Sequence, residues 1–396
     1  MYSSVIDFSN SRDAGAGRLQ WGFAPPVQVL AAYEPQQVAA VLDAVQRAAE
    51  SGRWCVGWLA YEAAAGLDKA YVGAVHEPAP GTGRPPLAWF GVHEAPEALA
   101  AEALPQPVLN VQWPQEPDGR SRFDADVARI HAAIAAGDCY QINYTSQLPG
   151  RLRGPQGLTA QQTAHALFAR LRRAQPGGYA AMVDSGDMQA LSVSPELFFD
   201  WDGERILTRP MKGTAPRGAT PEEDEERVRA MRASPKERAE NVMIVDLLRN
   251  DLSRIAVPHS VKVPRLFHAE PLPTVWQMTS DVEARTRPGT RLRDVFAALF
   301  PCGSITGAPK RQAMRLIREL EPEPRGIYCG ALGLVRPADG KHGGAGRIHA
   351  TFNVPIRTVV MQGQELRCGI GSGITASATA EAEWQEWRHK QRFLRM

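Results

Sequence analysis

Two glutamate pairs, Glu237 with Glu240 and Glu383 with Glu386, are the residues of this 396-residue chain whose type and spacing most directly suggest chemistry. Residues three apart project from one face of a helix. Carboxylates from two helices suit a hard cation such as Mg²⁺, which takes one or two of them and leaves its other positions to water and substrate oxygens. Glutamate also populates solvated helix faces, so the spacing alone does not decide.

Four further features carry potential chemistry. Ser194-Pro195-Glu196 places a carboxylate among apolar neighbours. Lys212 sits in the turn Pro210-Met211-Lys212-Gly213-Thr214, and a lysine there becomes a nucleophile only when its amine is neutral. Arg357 could grip a carboxylate with two parallel N–H bonds, or be a solvated strand-edge arginine. Gly303 to Lys310 fails the order of a phosphate loop, although a helix start preceded by glycine and hydroxyls can still bind an anion. In Cys368-Gly369-Ile370-Gly371-Ser372-Gly373 the glycines either let backbone amides approach a ligand or make a tight strand-to-turn connection.

The elements that must position these residues follow from periodicity and punctuation. The spacing predicts helices over 35–50 and 122–136, the latter closed by Gly137, and over 312–320. Ser234-Pro235-Lys236-Glu237 has the signature of a helix start, with Ser as cap, Pro at the first position and Glu returning the bond; that helix should reach about Arg249. On it Val242, Ile244, Val245, Leu247 and Leu248 form an apolar face, with Glu237, Glu240 and Asn241 on another. A last helix follows Thr379. Strands are expected at 55–61, 141–148, 188–199, 205–209 and 352–361. The acidic run 221–226 reads as a solvated helix face. From Glu94 to Pro117 the chain is rich in Ala, Pro, Glu and Gln, which places a loose boundary between residues 1–105 and a larger unit over 121–396.

Composition excludes other classes. Forty-five basic against 43 acidic residues leave a formal charge of +2, too little for a nucleic-acid-binding stripe. No apolar run reaches the roughly 18 residues of a membrane span, and the first residues lack a secretory signal, so a cytoplasmic protein is expected. The five cysteines are scattered with no C-x-x-C pair; neither a disulfide framework nor a structural zinc site is expected, and most should be small buried hydrophobes.

Read in order, Gly137 to Gln141, Ser194-Pro195-Glu196, Pro210 to Thr214, Ala239 to Asp251, Gly303 to Lys310, and Gly371-Ser372-Gly373 followed by the Glu383 helix resemble the chorismate-utilising enzymes. This family includes the anthranilate, isochorismate, salicylate and aminodeoxychorismate synthases, and the match covers about 121–396. The resemblance implies an α+β fold: a sandwich of two large, mostly antiparallel sheets with helices outside, to which residues 1–105 contribute strands. It also implies that Glu240 and Glu386 hold Mg²⁺, with Glu237 and Glu383 supporting through water. Gln141, Gly213, Thr214, Ser304, Tyr328, Arg357, Gly371, Ser372 and Gly373 would line the chorismate pocket. Glu196 would be the acid that protonates the departing C4 hydroxyl, kept protonated by its apolar setting.

Two positions discriminate within the resemblance. Gln141 stands where the water-using members carry a lysine base. Lys212 stands where anthranilate synthases carry an alanine, as in the members that form 4-amino-4-deoxychorismate on the route to p-aminobenzoate and folate. There the lysine would attack C2 as the C4 hydroxyl leaves, and ammonia would then enter at C4 and expel it. Gln277 departs from the histidine of anthranilate synthases. With no glutaminase signature in the sequence, ammonia is expected from a separate glutamine amidotransferase subunit. Other readings kept open are an anthranilate synthase and a silent chorismate-binding subunit.

Overall fold

The computed structural model describes residues 1–396 except 13–16, 79–83, 100–106, 108, 116–118, 154–156, 273–274, 339–346 and 396. Part of the 94–117 boundary segment thus lies outside the described residues. Two antiparallel sheets, each of ten strands among those described, form the body. In spatial order the first contains Gly307–Ala308, Gln141–Arg153, Glu365–Thr375, Thr358–Gln362, Gln189–Ser194, Tyr179–Asp184, Ser4–Phe8, Leu19–Phe23 and Glu97–Ala98, with Asn110–Gln112 beside Gln141–Arg153. The second contains Met211–Pro216, Val275–Arg285, Arg205–Arg209, Leu197–Trp201, Ile348–Asn353, Ala331–Pro337, Trp54–Leu59, Ala88–His93 and Gln28–Ala32, with Lys262–Pro271 beside Val275–Arg285. Strands from the first hundred residues pair into both sheets: Ser4–Phe8 joins Tyr179–Asp184, and Trp54–Leu59 joins Ala331–Pro337.

Phe8, Phe23, Trp58, Trp89, Tyr179 and Leu332 fill one buried layer, drawn from both sheets. Trp58 stacks on Trp89 with ring centroids 5.1 Å apart. Helices Val38–Glu50, Pro235–Ser253 and Leu292–Leu299 pack on the second sheet through residues such as Leu42, Leu248 and Phe296. Helices Arg120–Ala135, Ala160–Ala174, Lys310–Leu320 and Ala380–Lys390 cover the first through Ile130, Leu167, Ile317 and Trp387. Each core residue makes many small dispersion contacts that a polar replacement would forfeit. All five cysteines are free and buried. Among the described residues no helix is long and apolar enough to cross a membrane.

Four local expectations are corrected. The segment 188–199 is two strands, because Pro195 ends the ladder of Gln189–Ser194 and the chain passes to the other sheet before Leu197–Trp201. The expected strand 352–361 is divided in the same way between Ile348–Asn353 and Thr358–Gln362, which leaves Arg357 at a corner. Residues 211–216 form a strand along Val275–Arg285 rather than a simple turn, and the glycine signal survives as a bulge: Gly213 adopts φ +92° where the register shifts between the paired Met211 and Thr214. The stretch around 369–373 lies inside the strand Glu365–Thr375 and is not a strand-to-turn connection.

The helix Pro235–Ser253 starts where its cap predicts: Ser234 Oγ accepts a hydrogen bond from the N–H of Glu237 at 3.4 Å. The Glu237 carboxylate does not return the bond but approaches Gly213, whose absent Cβ would lie 3.0 Å from Glu237 Oε2. Val242 is exposed and Leu247 half-buried, so the buried face is narrower than the apolar stripe and includes Asn241, which accepts from Ser280 Oγ at 2.6 Å.

Candidate active site

The two places where the chain changes sheets lie side by side, zipped by hydrogen bonds. Ser194 Oγ donates to the carbonyl of Val354 at 2.5 Å, the N–H of Val354 donates to the carbonyl of Glu196 at 3.1 Å, and the N–H of Val193 donates to the carbonyl of Arg357 at 3.1 Å. Glu196 and Arg357 therefore sit at neighbouring corners. Both open onto one cavity of 130 Å³, which Lys212, Ser304, Tyr328 and Gly371 also line.

Glu196 is 4% exposed, and burial pushes its carboxyl up to about 7. The hydroxyl of Ser304, which donates to Oε1 at 2.7 Å, and the ammonium groups of Lys212 and Lys390 oppose that rise. A carboxyl so placed still carries a proton near neutrality. Arg357 faces the opposite imbalance: burial alone draws its guanidinium down to about 10, and among the described residues that group has no hydrogen-bond or ionic partner. It remains charged at neutral pH. Its backbone adopts φ +49°, a left-handed conformation that costs roughly 1–2 kcal/mol for a residue with a side chain. A half-buried cation with no partner among the described residues, on a strained corner at the cavity, is suited to receive an anion.

Lys212 enters from the strand Met211–Pro216 and is half-buried. Among the described residues its amine makes no hydrogen bond, and its charge acts on Glu196, Glu240 and Glu386. The strand is held by Gln277, whose Nε2 donates to the carbonyl of Gly213 at 2.8 Å and whose Oε1 accepts from Thr214 Oγ1 at 2.9 Å. Gln277 thus grips the carbonyl of the Gly213–Thr214 peptide and the Thr214 side chain. Thr214 itself is exposed and spends its hydroxyl on Gln277, so neither Thr214 nor Gly213 lines the cavity.

The glycines of the strand Glu365–Thr375 make room for these groups. A Cβ on Gly373 would lie 2.6 Å from Gln141 Nε2 and 3.1 Å from Lys212 Nζ, and one on Gly369 would strike the Tyr328 ring at 2.2 Å. Gln141 is fully buried with both side-chain amide atoms unpartnered, close to the lysine amine. Ser372 turns the other way: its hydroxyl accepts from Trp387 Nε1 at 3.0 Å, which anchors the C-terminal helix.

That helix, Ala380–Lys390, is capped by Thr379, whose side chain accepts from the N–H of Ala382. It carries Glu383, which is 5% exposed and has an unpartnered Oε2, and Glu386, whose carboxylate lies 2.6 Å from Lys390. Burial raises Glu383, whereas Glu386 is held below its ordinary value by Lys390 against the effect of burial. Burial also raises Glu240, with Glu237 and Glu386 adding like-charge repulsion and Lys212 and Lys236 opposing it. Glu240 and Glu386 therefore feel each other's charge across the two helices. Among the described residues no three His, Cys, Asp or Glu side chains gather at metal-bonding spacing. Two mutually repelling carboxylates, backed by an orphaned buried carboxylate oxygen, nevertheless fit the chemistry of Mg²⁺, which needs no protein cage.

Asn143, Ile305, Ile356, Lys390 and Phe393 line the same cavity without having been singled out in the sequence. Lys390 was the most accessible to sequence reasoning, four and seven residues beyond Glu386 and Glu383 on one helical face. The amino end of helix Lys310–Leu320, a possible anion site, has another use: Lys310 is buried and pairs with Asp251 at 2.6 Å.

The profile of the family described as chorismate binding enzyme matches residues 94–396. The chain belongs to this family. Among its relatives is aminodeoxychorismate synthase component 1 of Salmonella typhimurium, 39% identical over 67% of this chain and 55% of that protein. The protein of the same name from Klebsiella aerogenes is 37% identical over 76% of this chain and 61% of its own length. Anthranilate synthase component 1 of Streptomyces coelicolor is 39% identical over 69% of this chain and 50% of its own length. The chain thus spans little more than half the length of the curated relatives it matches. Two solved structures share the fold, each with a TM-score of 0.73 over 99% of this chain. They are anthranilate synthase component I of Streptococcus pneumoniae, 23% identical with 90% of that chain covered, and the menaquinone-specific isochorismate synthase of Escherichia coli, 17% identical with 87% covered. As a chorismate binding enzyme, the chain has the two-sheet α+β architecture expected from its motifs.

Proposed function

We propose that this chorismate binding enzyme converts chorismate and ammonia to 4-amino-4-deoxychorismate and water, with a covalent bond to Lys212 on the way. The observation that carries the reading is that an unpaired lysine amine and a buried, protonatable carboxyl open onto one cavity beside an uncompensated arginine. Chorismate carries two carboxylates and a C4 hydroxyl that leaves poorly as hydroxide. Arg357 would hold one carboxylate through paired N–H bonds. Glu196, protonated by burial, would give its proton to the C4 oxygen, so that water departs. The amine of Lys212, once its proton has passed to solvent, would form the C–N bond at C2 as that C–O bond breaks and the diene shifts. Ammonia would then bond to C4 and release the amine from C2, which returns the lysine, and the proton shed by the nitrogen now on C4 would restore the Glu196 carboxyl.

Glu240 and Glu386 would hold Mg²⁺, with Glu237 and Glu383 at its waters. When bound, the ion supplies a positive charge for the ring carboxylate and withdraws electron density from the diene. Gln141 offers an amide where water activation would need a base. The name component 1 borne by the relatives supports a second subunit; we read it as a glutamine amidotransferase that supplies ammonia to this chain in the cytoplasm.

The test is incubation with chorismate, Mg²⁺ and ammonium, with products read by mass spectrometry and fluorescence. The 4-amino product that disappears with Lys212→Ala supports the reading. A fluorescent 2-amino aromatic product instead identifies an anthranilate synthase, and chorismate binding without turnover identifies a silent binding subunit.

A further inference from the structure

A buried ionic cluster beside the cavity does no chemistry in the reaction proposed above. Arg325 is 4% exposed, and its guanidinium uses its whole fork. Nε and Nη2 donate to the two oxygens of Glu321 at 2.8 and 2.7 Å, Nη1 donates to the carbonyl of Ile305 at 2.8 Å, and Nη2 also donates to the carbonyl of Asn143 at 2.7 Å. The guanidinium lies over the Tyr61 ring at 4.7 Å. Glu321 is pinned in turn, since its Oε1 accepts from both the N–H and the hydroxyl of Thr145 at 2.9 Å. Glu62 holds the backbone on either side of the arginine, accepting from the N–H of Arg325 at 2.8 Å and of Gly326 at 3.1 Å. A buried charge network of this size is retained at a cost in desolvation and is weak evidence for stability as such, so its use lies in what it fixes.

What it fixes is the cavity wall. Ile305 and Asn143 both line the cavity. Ile305 follows Ser304, whose hydroxyl holds Glu196, and Asn143 lies two residues beyond Gln141 on the strand paired with the glycine-bearing strand. We propose that Arg325, held by Glu321 and Glu62, is a positioning residue: by gripping the carbonyls of Ile305 and Asn143 it sets the Ser304 hydroxyl on Glu196 and the strand edge that carries Gln141. Glu62 precedes the region matched by the family profile, so the cavity depends on a residue outside that region. The inference rests on the proposed function only for what Glu196 does, not for how it is held.

The test is a double-mutant cycle of Arg325→Lys with Ser304→Ala, measured in kcat and KM for chorismate. Lysine keeps the charge opposite Glu321 but cannot grip two carbonyls as a planar fork does. Arg325→Lys should lose about 10- to 100-fold in kcat, the scale of a small misplacement of a reacting group, with KM within about threefold. The double variant should lose little more than the worse single one. A second readout needs no turnover: the protonated Glu196 carboxyl, identified in the infrared by its absence in Glu196→Gln, should titrate at higher pH in Ser304→Ala and in Arg325→Lys. Glu196 also faces Lys212, Lys390 and Arg357 at the cavity and Cys302 and Cys329 beside it, and none of these changes charge in either variant. If Arg325→Lys does not fold, Glu62→Gln takes its place, because an amide can accept only one of the two backbone N–H bonds. Additive losses, wild-type kcat, or an unmoved carboxyl titration overturns the proposal. Absence of chorismate turnover in the wild type would sink the proposed function, while the titration would still decide this inference.

Discussion

Replacing Glu196 by glutamine removes a proton and almost nothing else, because the amide oxygen can still accept from Ser304 Oγ, now 2.7 Å from Oε1. A carboxyl at its ordinary value of 4.5 would be protonated in about 0.3% of molecules at pH 7, whereas one at about 7 is protonated in about half, a gain of about 160-fold in the acid form. General acid catalysis contributes typically about 10²- to 10⁴-fold, so Glu196→Gln should lower kcat by that range with KM for chorismate changed only a few-fold. Wild-type kcat, followed by loss of chorismate across pH, should fall on the alkaline side with a midpoint near 7. The variant should lack that limb.

A stability signature accompanies the catalytic one. The folded-state value lies above the ordinary one, so the protonated carboxyl favours the fold. That contribution is complete below about 4.5 and is lost as pH rises past about 7. The gap corresponds to a contribution on the order of 3 kcal/mol, so thermal melting should find Glu196→Gln gaining on the wild type between pH 5 and pH 9. A variant that keeps more than half of wild-type turnover and the same alkaline limb would refute the assignment of Glu196 as the acid.

Three further outcomes follow from the geometry. Arg357→Lys should raise KM for chorismate by about 10- to 100-fold with kcat nearly kept, since charge-assisted bonds contribute about 1.5–3 kcal/mol and lysine cannot pair twice with a carboxylate; an unchanged KM contradicts the anion site. Gly373→Ala places a methyl group 2.6 Å from Gln141 Nε2 and 3.1 Å from Lys212 Nζ, so turnover should fall at least about tenfold, with melting less affected than activity; normal kcat would show that the amine has no fixed place there. Glu240→Gln and Glu386→Gln should each raise the Mg²⁺ concentration needed for half-maximal rate by about tenfold or more, the usual scale for loss of a ligand or its support, and calorimetry should find weaker Mg²⁺ binding; an unaltered Mg²⁺ dependence in both would remove the cation from between these helices.

The sequence was most informative where structure is local. Ser234 and Thr379 cap the two helices that carry the glutamate pairs because a hydroxyl before a helix answers an orphan N–H whatever the tertiary setting. It was least informative where partners come from far away. Glu196 and Arg357 read as strand residues, but their strands break at corners between sheets, and the long-range pairings of Ser192 with Thr358 and of Leu197 with Asn353 bring the corners together. Lys212 reads as a turn residue, and only the pairing of Met211 and Thr214 with Val275–Arg285 places it in a strand irregularity that turns it to the cavity. Arg325 carries a local hint, a glutamate four residues earlier, but its grip on Ile305 and Asn143 spans 20 and 182 residues and has no sequence signature.

The central claim, that the amine of Lys212 bonds to the substrate, is tested most directly by quenching the protein with chorismate and Mg²⁺ in the absence of ammonia and weighing its peptides. The account predicts that the peptide bearing Lys212 gains one chorismate less one water and that ammonium discharges it as 4-amino-4-deoxychorismate. Full turnover to that product by Lys212→Ala, with no adduct formed by the wild type, would contradict it.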